Sequence, residues 1–280
     1  MRERRRNSPD RLSAPSLLRY NESSRYWNLA GGSSLLRIMF GEEPREWKGS
    51  SLNTVQAIEQ FIRRCSEEAE RRPEQAVRRP EQASQFHTYQ YWAEGLLRSM
   101  DELEQGIYAA KQFASRINHT EVDELSAKER LNYYRHVYFD KNSYIRIFAV
   151  LDKLGTFLNS LLKLETERLK AHYSYFTVLR NMRMNGVHPE LAGPLDELKE
   201  QHQEALSRLR RRRNTEIHYM NAELEDDLEQ TLIQKDRISL ENIKANIADL
   251  EQAWLLAESS IGGTFRFANK RFAKSTEGFG

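Results

Sequence analysis

The sequence predicts an all-α chain: an antiparallel helical bundle over about residues 51–261, an additional N-terminal helix among its members, and flexible termini. Three observations carry that prediction. Apolar residues recur at three- and four-residue steps through long stretches, the period of one helix face. No alternating run is long enough for a strand of more than a few residues. Only 13 Gly and 7 Pro occur in 280 residues, which leaves few turn signals to interrupt the helices.

Residues 1–50, rich in Ser, Arg, Pro and Gly, read as a flexible basic arm, in which Tyr26-Trp27 and Leu35 to Phe40 could dock. From Ser51, Leu52, Val55, Ile58 and Ile62 mark a first helix. The tandem heptads Arg71–Val77 and Arg78–Ser84 place Pro73 and Pro80 seven apart. Proline inside a helix costs about 3 kcal/mol, so this duplication reads as a solvated loop.

A second helix is expected over about 84–118, with Trp92, Leu96, Met100, Leu103, Ile107 and Ala110 on one face. Ser126-Ala127-Lys128-Glu129 has the form of a capping box. It is expected to open a short Tyr-rich helix ending near Phe139, with Tyr133, Tyr134 and Tyr138 at the core or an interface. Residues 142–169 are apolar nearly all round, from Tyr144 through Phe157 to Leu162, and belong at the centre of the bundle. Tyr173 to Met184 forms a shorter helix stopped by Asn185-Gly186.

A long helix is expected to start near Pro194, a residue suited to a first helical turn, and to run past His218. The last helix, about 236–259, carries Ile243, Ile247, Leu250, Trp254 and Ala257, with Ser239 as a candidate cap. From Gly262-Gly263 the chain reads as a basic, aromatic tail, 262–280. In it Phe265, Phe267 and Phe272 are interleaved with Arg266, Lys270 and Arg271; such a tail is read as disordered, or as docking its aromatics on the domain, in preference to stacking on bases.

Composition narrows the function classes. Lys+Arg 43 against Asp+Glu 41 leaves a formal charge of +2, so any polyanion-binding surface is local. Cys65 is the single cysteine, which excludes an internal disulfide and a cysteine-based zinc site and fits a reducing cytoplasm. The most apolar run, Tyr144 to Leu164, is broken by Arg146, Asp152, Lys153 and Lys163, so no membrane span is expected. The basic start lacks the apolar stretch of a secretory signal. In a cytoplasmic chain Asn118-His119-Thr120 is then a chance glycosylation triplet. His119, His136, His172, His188 and His202 are scattered without the spacing of a helical metal site, so neither metal nor cofactor is expected. Gly262-Gly263 follows no strand and is not a nucleotide-binding turn.

The local basic feature is Arg208-Leu209-Arg210-Arg211-Arg212-Arg213, followed by Asn214 and, four residues on, His218. Guanidinium groups match phosphate geometry, and imidazole moves protons near neutral pH. Metal-free RNA cleavage needs such an acid or base, with fixed positive charge on the non-bridging oxygens. Neighbouring arginines favour the neutral imidazole and so a base role. On an ideal helix Asn214 and His218 share a face and Arg211 nearly eclipses His218, whereas Arg213 stands about 140° from it. Geometry within one chain therefore selects Arg211 as the partner of His218. On the residues alone, a passive anion-binding face is the plainer reading of the cluster.

Arg213-Asn214-xxx-His218, late in a long helix of an all-α bundle, resembles the signature of the HEPN superfamily. The order of helices, with Leu151-Asp152-Lys153-Leu154 in the buried one, resembles a bacterial HEPN family over about 85–260. The resemblance implies a bundle of four or more helices, often dimeric, with the two motifs facing each other. For active members it implies metal-independent endoribonuclease activity leaving a 2′,3′-cyclic phosphate. Carried over, His218 is the acid/base, Arg213 stabilises the phosphate and Asn214 is an orienting or substrate-contacting residue. Arg208, Arg210, Arg211 and Arg212 then provide an RNA phosphate-binding surface. A homodimer would remove the geometric objection, since Arg213 and His218 could come from different chains.

RNA and a second copy are the expected partners, with a cognate antitoxin or other protein as a possible third if the chain is a toxin or phage-defence effector. Some toxin members carry a tyrosine two residues after the histidine, as a modification site. Met220 stands there and Tyr219 precedes it, which puts that regulation in doubt. Other members are inactive and bind nucleotides or mediate assembly, the alternative kept for this chain.

Overall fold

The helical periods become eight α-helices in a computed structural model, which describes residues 35–70, 80–218 and 242–277. They are α1 (Leu35–Met39), α2 (Gly49–Glu70), α3 (Pro80–Ala114), α4 (Ala127–Leu162), α5 (Tyr175–Met184), α6 (Pro189–Gln201), α7 (Gln203–His218) and α8 (Ile243–Glu277). Short 3-10 turns at Val122–Glu124 and Thr166–Arg168 complete the described elements. None of the described helices is long and apolar enough to cross a membrane.

Four long helices form an all-α bundle in which α3 runs against its neighbours. Ser99 meets Lys153 and Tyr89 meets Ser160, so α3 and α4 are antiparallel. Lys111 pairs with Glu251 while Phe86 reaches Phe272, so α8 also runs against α3. Phe61 of α2 packs edge-on against Phe157 of α4 at 5.5 Å and Phe265 of α8 at 5.3 Å, and these three rings centre the core. Rings packed this way add about 0.5–1.5 kcal/mol per pair beyond the area they bury.

The boundaries differ from the sequence reading in four places. First, the Tyr-rich and apolar segments are one helix, α4, because no Gly or Pro lies between them. Asp140, at the expected break, is instead buried in an ion pair with Arg212. The helix stops at Leu162, where Lys163 and Glu165 take left-handed backbone. Second, Pro80 opens α3 as a first-turn residue; residues 71–79 of the tandem repeat lie outside the described ones. Third, α6 begins at Pro189 and keeps Pro194 in its interior, and the chain bends at His202 before α7 starts. Fourth, α8 does not stop at Gly262-Gly263 but continues to Glu277, because Phe265 belongs to the core and Thr54 of α2 lies against Gly262. Phe267 and Phe272 dock on the core, and Tyr133 is buried. Residues 236–241, including Ser239, lie outside the described residues.

Residues 35–48 are a strap on α3. Arg37 and Arg45 both pair with Glu104, Arg45 also with Asp101, and Trp47 stacks on Trp254 at 6.4 Å. This is where the Leu35 to Phe40 segment docks; residues 1–34 lie outside the described ones.

The capping box forms as its sequence dictates. Glu129 N–H donates to Ser126 Oγ (3.2 Å) and Ser126 N–H donates to Glu129 Oε2 (3.1 Å). The Asn118 amide, then the Ser126 hydroxyl and amide, hold the Glu129 carboxyl down at about 2. A depressed carboxyl stabilises the fold above its unfolded pKa, and that stabilisation disappears as pH falls through the folded value. Urea midpoints should therefore fall between about pH 4.5 and 2, and Glu129→Gln should flatten that decline. An unchanged profile in the variant would remove Glu129 from the acid response.

Gly155 marks where α5 crosses α4. A Cβ there would stand 2.8 Å from Tyr175 Cα and 3.0 Å from its nitrogen. Both are backbone atoms, and Tyr175 is fully buried. Gly155→Ala should therefore destabilise by about 1–3 kcal/mol, although Ala is the better helix former by about 1 kcal/mol. Urea unfolding of the variant checks this, and a gain in stability would refute it.

Candidate functional site

The five arginines of α7 meet different fates because a helix turns about 100° per residue. Ala205, Leu206 and Leu209 bury one face, so the cations flanking it reach neighbouring helices and the others face outward. Arg208 forks onto Asp249 of α8, Nε at 2.9 Å from Oδ2 and Nη2 at 2.7 Å from Oδ1. Arg212 pairs with Asp140 of α4 and lies 4.9 Å from the Tyr144 ring. Both are expected RNA phosphate ligands, and in the structure both pair with carboxylates that fix α7 in the bundle.

Three arginines remain with no carboxylate at ion-pair distance among the described residues: Arg210, Arg211 and Arg213. Arg211 is exposed. Arg210 lies 5.2 Å from the Phe176 ring of α5. Arg213 is the most constrained in place. Its guanidinium sits 4.6 Å from the Phe148 ring and donates to Asn214 Oδ1 from Nε (3.2 Å) and Nη2 (2.8 Å). Asn214 is thus an orienting residue for the guanidinium. Cation–ring contacts of this kind contribute about 0.5–1 kcal/mol where water has access.

Asp152, in the sequence one member of the buried-helix pattern, completes this cluster. Its Oδ1 accepts the Tyr175 N–H at 3.1 Å, tying α4 to the start of α5. Desolvation beside α5 pushes its carboxyl up, while the Tyr175 amide and the charges of Arg213 and Arg210 pull it down. An acidic residue within an otherwise apolar helix was the available signal. Phe148 and Phe176 gave none, being indistinguishable from core residues in the sequence.

His218 is the last residue of α7, and its side chain lies outside the described residues. The helix is continuous from Gln203 to His218, so its backbone keeps His218 one turn beyond Asn214. Glu216 pairs with Lys141 at 2.9 Å and holds this last turn against α4. Arg213 leans over Phe148 toward α4, about 140° around α7 from the direction of residue 218. Arg213 and Asn214 are therefore brought together, while Arg211 is exposed about 160° around α7 from Arg213.

Bundle order, the Arg213-Asn214 pair and the placement of His218 agree with a family match. A model described as HEPN_Cthe2314-like HEPN matches residues 92–269. The chain belongs to that HEPN family. No curated protein and no solved structure matches the chain. The HEPN match opens in α3 at Trp92 and closes in α8 at Asn269, so it takes in Gly262-Gly263 and Phe265 beyond the expected limit. It leaves out α1, α2, the strap and the first turns of α3. HEPN membership points to nucleotide- or RNA-directed chemistry.

Proposed function

We propose that the chain is a metal-independent HEPN endoribonuclease that works as a homodimer. The 2′-hydroxyl of one ribose attacks the adjacent phosphorus, the bond from phosphorus to the 5′-oxygen breaks, and a 2′,3′-cyclic phosphate and a 5′-hydroxyl result. His218 takes the proton from the 2′-hydroxyl or delivers one to the leaving oxygen. Arg213 holds the non-bridging oxygens where negative charge gathers. Arg210 and Arg211 extend the positive field along the strand.

The observation that carries this reading is the state of Arg213. It is a half-buried guanidinium, oriented by Asn214 and Phe148, with no carboxylate at ion-pair distance among the described residues. The Asp152 carboxylate feels its charge from beyond ion-pair distance, so the guanidinium is fixed with no direct carboxylate bond and is open to an anion. A second copy is supported by exposed apolar side chains on the same two helices: Leu131 and Tyr138 of α4 and Ile217 of α7 are 48%, 64% and 56% exposed. Such an activity suits a toxin or phage-defence effector restrained by a cognate antitoxin or other partner.

The test is cleavage of labelled RNA in excess chelator by the wild-type chain, His218→Ala and Arg213→Ala, with end-group analysis. Chelator-resistant cleavage ending in cyclic phosphate, lost in both variants, supports the proposal. A second reading, RNA or nucleotide binding without cleavage, is favoured by the separation of Arg213 and His218 around α7. Binding that weakens in Arg213→Ala and falls steeply with salt, without cleavage, would select it.

A further inference from the structure

On the flank of α4 away from α7, α3 and α4 form a groove of about 420 Å³ lined by Tyr91, Trp92, Arg98, Ser99, Lys153 and Thr156, with Gly95 in its wall. Tyr91 is 67% exposed, and Trp92 stands half-buried beside it. Lys153 Nζ donates to Ser99 Oγ at 2.7 Å, and Ser99 Oγ donates to the Gly95 carbonyl at 2.7 Å. The ammonium is therefore held at the groove with two donors left over. No carboxylate among the described residues lies at ion-pair distance from it. Glu102, which also lines the groove, is paired with Arg146, and Glu94 accepts from Gln90 and pairs with Arg98 at 3.8 Å.

Gly95 shapes the wall of the groove. A glycine inside a helix costs about 1 kcal/mol relative to Ala, so it usually answers a packing need. Gly106 does, since a Cβ there would stand 2.8 Å from Ser143 Oγ, and so does Gly155. At Gly95 the nearest atom to such a Cβ is the far end of Arg98, at 3.9 Å. The groove wall is therefore open at Gly95, as the helix surface is at Gly193, and a large side chain placed at Gly95 would enter the groove.

We propose that this groove is a second contact for single-stranded RNA, in which a base stacks on Tyr91 and the neighbouring phosphate takes Lys153 and Arg98. The inference rests on the ribonuclease reading and extends its substrate footprint. An exposed aromatic next to a fixed cation is how sequence-tolerant strand binding is built, each stacked base contributing about 1–3 kcal/mol. Lys153 lies five residues along α4 from Phe148, the ring beneath Arg213. That is about 7.5 Å along the axis and roughly 140° around it. A strand held at Arg213 reaches the groove by crossing α4 over the small exposed residue Ala149.

The test compares full-length His218→Ala with the same chain carrying Tyr91→Ala, Lys153→Ala or Gly95→Leu. The probe is a labelled oligouridylate of about eight nucleotides, within the range of single-strand sites. Tyr91→Ala and Gly95→Leu should weaken binding about tenfold. Lys153→Ala should weaken it and lower the salt slope by about 0.7. In the His218 chain, all three should cleave a ribodinucleotide, too short to span both sites, at the wild-type rate. Normal cleavage with unchanged oligonucleotide affinity in the three variants would overturn the groove and leave the ribonuclease standing. Tyr91-dependent binding by a chain that cleaves nothing would sustain the groove and remove the ribonuclease. No oligonucleotide binding at all would overturn the groove.

Discussion

His218→Ala is expected to slow RNA cleavage by about 10²–10⁴-fold, the usual contribution of a positioned acid or base. Arg213→Ala should cost about 10²–10³-fold, as when one donor to a developing oxyanion is removed. Arg213→Lys should recover little. Asn214 Oδ1 accepts from both Nε and Nη2 of the guanidinium, a fork that an ammonium cannot reproduce. Arg211→Ala is the informative control, because ideal helix geometry makes Arg211 the near neighbour of His218 within one chain. If Arg211→Ala loses activity while Arg213→Ala keeps it, the site is built within one chain from a different arginine.

Mixing the two inactive chains tests the dimer directly. When Arg213 and His218 act from opposite subunits, a mixed dimer of Arg213→Ala and His218→Ala keeps one intact site. Random exchange of the two chains should then restore roughly a quarter of wild-type activity, since half the dimers are mixed and each has one live site of two. Each variant alone stays inactive in the same kinetic assay. If mixing restores nothing while size measurements show that subunits exchange, Arg213 and His218 do not act across an interface.

What the sequence made legible was local or periodic. Ser126 and Glu129 lie three residues apart, and their reciprocal bonds form as their types require. The stripe from Leu96 to Ala110 turned inward because its period leaves one apolar face. What could not be read depends on partners distant in sequence. Asp140 looked like a place to end a helix, and it is kept inside α4 by an arginine 72 residues away. Gly262-Gly263 looked like the start of a tail. Thr54 of α2 lies where a side chain at Gly262 would go, so the pair is a contact between α2 and α8. The arginine run shows the same limit in the candidate site. Five identical side chains carry no mark of which will pair with Asp249 or Asp140 and which will be left for a ligand.

That division of labour gives the second large effect. Arg212→Ala should destabilise the chain by about 3–5 kcal/mol, because it strands Asp140 as a charge without its partner, in a residue only 2% exposed. Such a loss is a large fraction of the total stability of a domain, about 5–15 kcal/mol. Arg211→Ala, on an exposed position one residue away, should stay within about 0.5 kcal/mol of the wild-type chain. Urea unfolding followed by circular dichroism separates the two. Combining Arg212→Met with Asp140→Leu should recover most of the loss, since the penalty lies in the unpaired carboxylate and not in the missing cation. The pair also sets where α7 lies on α4, so Arg212→Ala should reduce RNA cleavage even in the fraction that remains folded, through displacement of Arg213 from Phe148. A variant that unfolds like the wild-type chain yet binds RNA more weakly would reverse this assignment and return Arg212 to the phosphate-binding surface.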